Sequence, residues 1–128
     1  MDVIIQRYRI IAKSDKVWDA LVNPKTIEKW GGGPAVMEDK IGFEFSLWGG
    51  DVYGKNIEVE RYKKLVQEWY GGEWNRPSIV TISLNADGHC TEVLLEQKDI
   101  PLEEIKEINE GWRDYYFEPL KKLLEEKS

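Results

Sequence analysis

The segment PLEEIKEINEGWRDYYFEPLKKLLEEK, residues 101–127, predicts one long helix near the end of the chain, after a series of strand-like segments. Gly111 stands at its midpoint, directly before Trp112. A glycine inside a helix costs about 1 kcal/mol of stability relative to alanine, so we expect Gly111 to leave space beside the helix axis for a bulky neighbour or a bound molecule. Pro119 removes one backbone hydrogen bond, and we expect it to bend the helix.

The predicted helix carries an apolar stripe at helical spacing. The stripe consists of Ile105, Ile108, Trp112, Tyr115 or Tyr116, Leu120, Leu123 and Leu124. At 1.5 Å per residue, a helix of this length spans about 40 Å. It is the only predicted element long enough to cover a sheet.

Upstream of the helix, apolar and polar residues alternate with a period of two, which predicts strands. The alternating runs cover residues 40–48, 52–60, 63–70, 78–85 and 90–98, and a further strand is expected over residues 3–12. A short extra strand at residues 35–38 would raise the total from six to seven. The connections between the runs are short, so we expect an antiparallel meander.

Two short helices are expected between the first strand and the meander. Ser14 is placed to cap a helix that ends near Asn23, because Pro24 disfavours helical backbone in the residue before it. Asn23 in turn is placed to cap a second helix that opens at Pro24 and runs to about Trp30. Three glycines and a proline, residues 31–34, then end regular structure.

Alternation assigns one apolar face to the sheet. We expect that face to carry Phe43, Phe45, Leu47, Tyr53, Ile57, Val59, Leu65, Gln67, Trp69, Val80, Ile82, Leu84, Thr91, Val93 and Leu95. The opposite face is polar and rich in glutamate. The apolar face needs a cover, so the sequence predicts an α+β fold in which the sheet packs around the C-terminal helix.

Composition limits the class of partner. The 128 residues carry a net charge of −6, which argues against nucleic acid and anionic membranes as partners. The single cysteine excludes an internal disulfide, and no export signal or run of about 20 apolar residues is visible in the sequence. We therefore expect a single domain over residues 1–128 and a cytoplasmic protein, either a monomer or a homodimer.

This order of elements resembles the helix-grip fold of the START/Bet v 1-like (SRPBCC) superfamily, and within it the Aha1-like branch, the homologues of the activator of Hsp90 ATPase. The matching segments are residues 12–21, 54–59, 65–69 and 88–95, together with Trp30, Gly111, Trp112 and Leu120. The resemblance implies a cavity between the sheet and the long helix for an apolar or amphipathic small molecule. Members of the superfamily include enzymes, carriers and co-chaperones, so the fold does not settle the function.

The candidate cavity-lining residues are mostly large and aromatic. They are Trp30, Phe45, Tyr53, Ile57, Gln67, Trp69, Ile82, Gly111, Trp112 and Tyr116. Trp48 and Trp74 are further aromatic residues that could line the pocket. The alternative is that these side chains only fill the core. Gln67 is a polar residue on an apolar face, so its amide is expected either to meet a ligand or to bond a neighbouring group.

The sequence offers few catalytic groups. His89 and Cys90 are the only histidine and cysteine, and as neighbours on a strand they point to opposite faces. They form neither a thiolate–imidazole pair nor a zinc-ligand set. The glutamates between residues 103 and 110 are expected to form a solvated helix face. We expect no catalytic residue, no metal and no cofactor.

Three functions remain open at this point. The first is the non-enzymatic binding of a small apolar or aromatic molecule between the sheet and the C-terminal helix. The second, from the resemblance, is a co-chaperone that stimulates an Hsp90-type ATPase. The third is a cyclase-like or hydrolase-like enzyme that uses the same cavity with help from Tyr53 or Gln67.

Overall fold

The computed structural model describes residues 3–72 and 74–126. Its strands are β1 (Val3–Ile10), β2 (Glu44–Leu47), β3 (Val52–Glu60), β4 (Lys64–Gly71), β5 (Ser78–Asp87) and β6 (Cys90–Lys98). Its α-helices are α1 (Ser14–Val22), α2 (Pro24–Trp30), α3 (Ile105–Gly111) and α4 (Glu118–Glu125). Short 3-10 helices cover Trp48–Gly50 and Leu102–Glu104, and a π-helix, Trp112–Phe117, joins α3 to α4. The 3-10 helix Leu102–Glu104, α3, the π-helix and α4 follow one another and form one C-terminal helical stretch.

The six strands form one antiparallel sheet in the order β1-β6-β5-β4-β3-β2. The curved sheet, the two short helices after β1 and the long C-terminal helical stretch confirm the predicted helix-grip fold. The segment predicted as an extra strand contributes only one bridge, between Val36 and Ser46. β2 is shorter than predicted, because Gly42 adopts a positive φ and the Asn56 side-chain amide donates to the carbonyls of Glu38 and Lys40 just before it.

The helix starts differ in one detail from the prediction. Asn23 caps α2 as expected, since its side-chain oxygen accepts the Lys25 backbone N–H at 3.0 Å. Ser14 is not a cap: α1 begins at Ser14 itself. The Ser14 hydroxyl instead lies 3.2 Å from the hydroxyl of Thr91, which donates to the Ala12 carbonyl. The β1–α1 corner is thus bonded to β6.

The π-helix changes which residues of the C-terminal stretch face the core. It ends two residues before Pro119, which supplies no N–H and whose ring crowds the preceding turn, so the backbone widens there. The wider turn brings Phe117 into the core, where it is fully buried although it lies outside the predicted stripe. Of the two alternatives at residues 115 and 116, Tyr116 is buried and Tyr115 is 69% exposed.

A bulge in β3 corrects the predicted faces of that strand. The pairing register between β3 and β4 shifts between Asn56 and Glu58. As a result Asn56 is the fully buried residue, whereas Tyr53 and Ile57 are exposed. The placement of Tyr53 and Ile57 on the apolar face was wrong. Tyr53 stacks on Tyr70 instead, with ring centroids 5.3 Å apart.

The core lies between the concave face of the sheet, the two short helices and the C-terminal stretch. Its fully buried side chains include Ile10, Leu21, Ile27, Leu47, Leu65, Ile82, Leu95, Phe117 and Leu120. Within residues 3–72 and 74–126, no helix is both long and apolar enough to cross a membrane.

Candidate functional site

An aromatic cluster lies between β4 and the π-helix, and it consists of Trp30, Trp48, Trp69, Trp112 and Tyr116. The indoles of Trp69 and Trp112 have centroids 4.7 Å apart. The ring of Tyr116 packs near all four tryptophans. Its centroid lies 4.7 Å from the ring centroids of Trp30 and Trp112 and 6.3 Å from those of Trp48 and Trp69. Contacts of this kind favour a fixed arrangement of rings over a loosely packed one.

A pocket of about 350 Å³ opens beside the aromatic cluster. It is lined by Trp48, Asp51, Trp69, Ile108, Gly111, Trp112, Tyr115 and Tyr116. These residues come from the 3-10 helix after β2, from β4, from α3 and from the π-helix. The pocket therefore forms only when the sheet and the C-terminal stretch come together.

Gly111 borders open space in this pocket. Its φ and ψ, −63° and −37°, are those of an ordinary helix, so no backbone requirement selects glycine here. A Cβ atom at Gly111 would meet only the Tyr115 ring, at 3.9 Å. The missing side chain therefore contributes to the pocket and does not serve close packing against the sheet.

The indole N–H of Trp69 begins a buried series of side-chain hydrogen bonds on the sheet, which we call a polar chain. It donates to the Gln67 side-chain oxygen at 2.7 Å, and the Gln67 amide donates to Asn56 Oδ1 at 2.9 Å. Gln67 is thus held between two protein groups, and the Asn56 amide continues the chain to the loop before β2. This arrangement favours a structural role for Gln67 over contact with a ligand.

A second polar chain begins at the indole N–H of Trp112. It donates to Gln97 Oε1 at 2.6 Å, and the Gln97 amide donates to Ser78 Oγ at 3.0 Å. The Ser78 hydroxyl then donates to the Lys98 carbonyl at 2.6 Å. The indoles of Trp69 and Trp112 are therefore both fixed by glutamines of the sheet, and neither N–H remains for a guest.

The Tyr116 hydroxyl differs from the two indoles, since no hydrogen bond to it occurs among the described residues. Burial raises the pKa of Tyr116 above its ordinary value, so the group is a neutral phenol. No buried side-chain oxygen or nitrogen in the described part of the chain lacks a partner when it is fully sealed from solvent. Tyr116 is 2% exposed and lines the pocket.

Trp48 is held at the pocket by a strained turn. Its φ of 51° lies in the left-handed region, which is costly for a residue with a side chain. The turn is fixed by the Trp48 N–H donating to the Gly32 carbonyl at 2.8 Å and the Gly49 N–H donating to the Pro34 carbonyl at 2.9 Å. The two glycine-rich segments are thus joined, and Trp48 is aimed at Tyr116.

The predicted site residues lie in different parts of the structure. Trp69, Gly111, Trp112 and Tyr116 come together in the pocket, and Trp30 packs behind them with its N–H on the Ala20 carbonyl. Phe45 and Ile82 lie in the core, and Gln67 lies in the polar chain beneath Trp69. Tyr53 and Ile57 are exposed, as described above. Contact with a ligand stays a prediction for the four pocket residues.

Trp48 was a possible pocket residue from the sequence, whereas Asp51, Ile108 and Tyr115 were not named as lining residues. The Gly49-Gly50 turn was a signal for Asp51, because such a turn brings its flanking residues to one place. Tyr115 could not be assigned without knowing of the π-helix.

The described residues contain no group of three or more acidic, histidine or cysteine side chains that converge as metal ligands. His89 is exposed in the β5–β6 turn, remote in sequence from the pocket residues. The pocket instead offers aromatic surface, the carboxylate of Asp51 and the phenol groups of Tyr115 and Tyr116. Such a set suits binding and orientation better than proton transfer.

The sequence is similar to a known family and to several longer proteins. A family model described as Activator of Hsp90 ATPase homolog 1-like protein matches residues 12–125. An activator of 90 kDa heat shock protein ATPase homolog from Dictyostelium discoideum is 32% identical over 99 residues, which are 75% of this chain and 26% of that protein. The first curated relatives are longer, and the matches span 26%, 34% and 37% of their lengths.

Two solved structures share the fold over nearly the whole chain. An HSP90 activator from Plasmodium falciparum has a TM-score of 0.88 at 20% identity, covering 98% of this chain and 97% of that one. The Aha1 dimer from Colwellia psychrerythraea has a TM-score of 0.85 at 19% identity, with 98% of each chain covered. At these identities the likeness concerns the fold alone.

Proposed function

The chain belongs to the family of Activator of Hsp90 ATPase homolog 1-like proteins, and within that family we propose that it binds a small apolar or aromatic molecule in the pocket between β4 and the C-terminal stretch. The observation that carries the proposal is the open space at Gly111. A helical glycine without a backbone or packing need gives up about 1 kcal/mol relative to alanine. Space for a bound guest is a physical reason for a glycine at this position despite the loss of helix stability.

The walls also support a guest of this class. Trp69, Trp112 and Tyr116 are each at least nine-tenths buried and present rigid aromatic surface to the pocket. The polar chains below them fix the rings before any ligand arrives, and such preorganisation lowers the entropic cost of binding.

The proposal is tested by filling the pocket with a leucine at Gly111. N-phenyl-1-naphthylamine, a neutral aromatic probe whose emission rises in apolar sites, serves as the guest. We expect Gly111→Leu to weaken probe binding at least tenfold, because the new side chain projects into the space that the probe needs. Fluorescence titration gives the dissociation constants.

Gly111→Ala is the matched control. It adds one methyl group at 3.9 Å from Tyr115, keeps most of the pocket, and should stabilise the helix by about 0.5–1 kcal/mol. Both variants should keep the far-ultraviolet circular dichroism spectrum of the parent chain. Unchanged probe binding by the leucine variant would exclude this pocket as the site.

A second candidate function is the stimulation of an Hsp90-type ATPase. It is supported by the names of the sequence relatives and by the stacking of the exposed Tyr53 on the half-buried Tyr70 in the sheet. Exposed aromatic pairs often serve as anchors in protein interfaces. This role would place the protein in the cytoplasm and would use a surface separate from the pocket.

The two functions respond to different substitutions. If the chain is a co-chaperone, it should raise the ATPase rate of a purified Hsp90-type chaperone, and Tyr53→Ala should lower that stimulation about fivefold at subsaturating concentration. Gly111→Leu should leave the stimulation intact. A chain that neither stimulates nor co-purifies with the chaperone would remove this candidate.

A further inference from the structure

Among residues 3–72 and 74–126, Asp51 is the one charged residue that lines the pocket of the proposed function. Asp51 directly follows the 3-10 helix that carries Trp48, and its backbone N–H donates to the Trp48 carbonyl at 3.3 Å. Asp51 is exposed, and it takes part in no ion pair within residues 3–72 and 74–126. No lysine or arginine in the described part of the chain lines the pocket. The Asp51 carboxylate therefore gives the pocket wall a negative charge that no lysine or arginine among the described residues balances.

The hydrogen-bond donors on the same walls are neutral groups. The N–H groups of Trp69 and Trp112 are held by Gln67 and Gln97, so an anionic guest would find neither available. The other donors are the Trp48 indole N–H and the Tyr115 and Tyr116 hydroxyls, and each hydroxyl can also accept a hydrogen bond. An anion would thus lose its hydration without gaining a charged partner.

Aromatic faces favour the opposite charge. The quadrupole of an indole or phenol ring attracts a cation placed over its face, and several rings around one site recognise alkylated ammonium groups. Here Trp48, Trp69, Trp112, Tyr115 and Tyr116 surround one space with a carboxylate at the wall. The net charge of −6 would in addition draw cations towards the protein.

We propose that the pocket selects a cationic guest, a small molecule with an apolar or aromatic body and a quaternary or alkylated ammonium group. This inference rests on the proposed function, because it concerns the same pocket. The ammonium group lies among the aromatic walls near Asp51, and the apolar body lies along Gly111 and Ile108.

The test compares two molecules of nearly equal shape. Phenyltrimethylammonium carries a positive nitrogen where tert-butylbenzene carries a neutral carbon, and each is titrated as a competitor against N-phenyl-1-naphthylamine. We expect the cation to bind about tenfold more tightly, a difference of about 1.4 kcal/mol. Asp51→Asn should weaken the cation about threefold to tenfold and leave the neutral compound unchanged. Higher salt should likewise weaken only the cation.

The outcomes separate this inference from the function on which it rests. Equal affinity of the two competitors, with no effect of Asp51→Asn, overturns the cation preference while the probe still reports a working pocket. Failure of the probe to bind the parent chain, or its binding equally to Gly111→Leu, overturns the pocket function itself. Tighter binding of the cation that Asp51→Asn and salt both reduce supports the inference.

Discussion

Trp112→Ala is expected to lower the free energy of unfolding by about 3–5 kcal/mol, as large-to-small changes of buried aromatic residues do. Trp112 is 3% exposed and contacts Trp69, Tyr116 and Phe117, with ring centroids 4.7, 4.7 and 5.7 Å away. Its removal opens a cavity between the sheet and the π-helix. It also leaves the buried side-chain oxygen of Gln97 without its donor. Urea denaturation followed by circular dichroism measures the change.

Two further variants divide this effect into parts. Trp112→Phe keeps most of the ring contact but loses the hydrogen bond to Gln97, so about 1–3 kcal/mol should be lost. Tyr115→Ala is the control, because Tyr115 lies in the same π-helix but is 69% exposed, and exposed substitutions usually change stability by about 0.5 kcal/mol or less. If Trp112→Ala cost no more than Tyr115→Ala, Trp112 would not be the contact that joins the helix to the sheet.

Gly54→Ala is expected to destabilise the chain by about 3 kcal/mol, at the upper end for an added methyl group. Gly54 lies opposite Trp69 in the β3–β4 pairing. A Cβ atom on Gly54 would lie 1.7 Å from the Glu68 carbonyl oxygen and 3.3 Å from the Phe45 ring. The clash involves backbone, which no side-chain rotation relieves, so the two strands would have to separate beside the aromatic cluster.

Gly71→Ala is the matched control for Gly54→Ala. Gly71 lies in β4, has a negative φ and would place its Cβ atom 3.6 Å from the Trp74 ring, an ordinary contact. We expect Gly71→Ala to be neutral or slightly stabilising, because a glycine in a strand costs backbone entropy. Equal stability of the two variants in urea denaturation would contradict the close approach of β3 and β4 at Gly54.

Much of the fold follows from local patterns. Alternation predicted the bounds of β3 and β6 correctly, residues 52–60 and 90–98, and the Asn23-Pro24 pair predicted the start of α2. The apolar faces of β4, β5 and β6 were also predicted correctly, as the buried Leu65, Ile82 and Leu95 illustrate. These features were predictable because they depend on neighbours in the sequence, on the period of the side chains and on the backbone preferences of proline, glycine and asparagine.

The candidate site was predictable only in part. Trp69, Gly111, Trp112 and Tyr116 were named from the sequence and lie together at the pocket. Tyr53 and Ile57 were placed on the wrong face, because one bulge residue inverts the alternation and leaves no mark in the pattern.

The residue pattern alone implies that an amphipathic sheet packs around one long C-terminal helical segment, because each apolar face needs a cover of matching length. The three-dimensional structure was needed to show that the turn before Pro119 is a π-helix, that Phe117 fills the core, and that Trp48 and Asp51 line the same pocket as Gly111. The position of Trp48 and Asp51 relative to Gly111 depends on contacts between residues about 60 positions apart in the chain, and no local pattern of side chains encodes such contacts. Gly111 is an example. The sequence indicated free space beside the helix at this residue, and the structure shows that the space is the pocket.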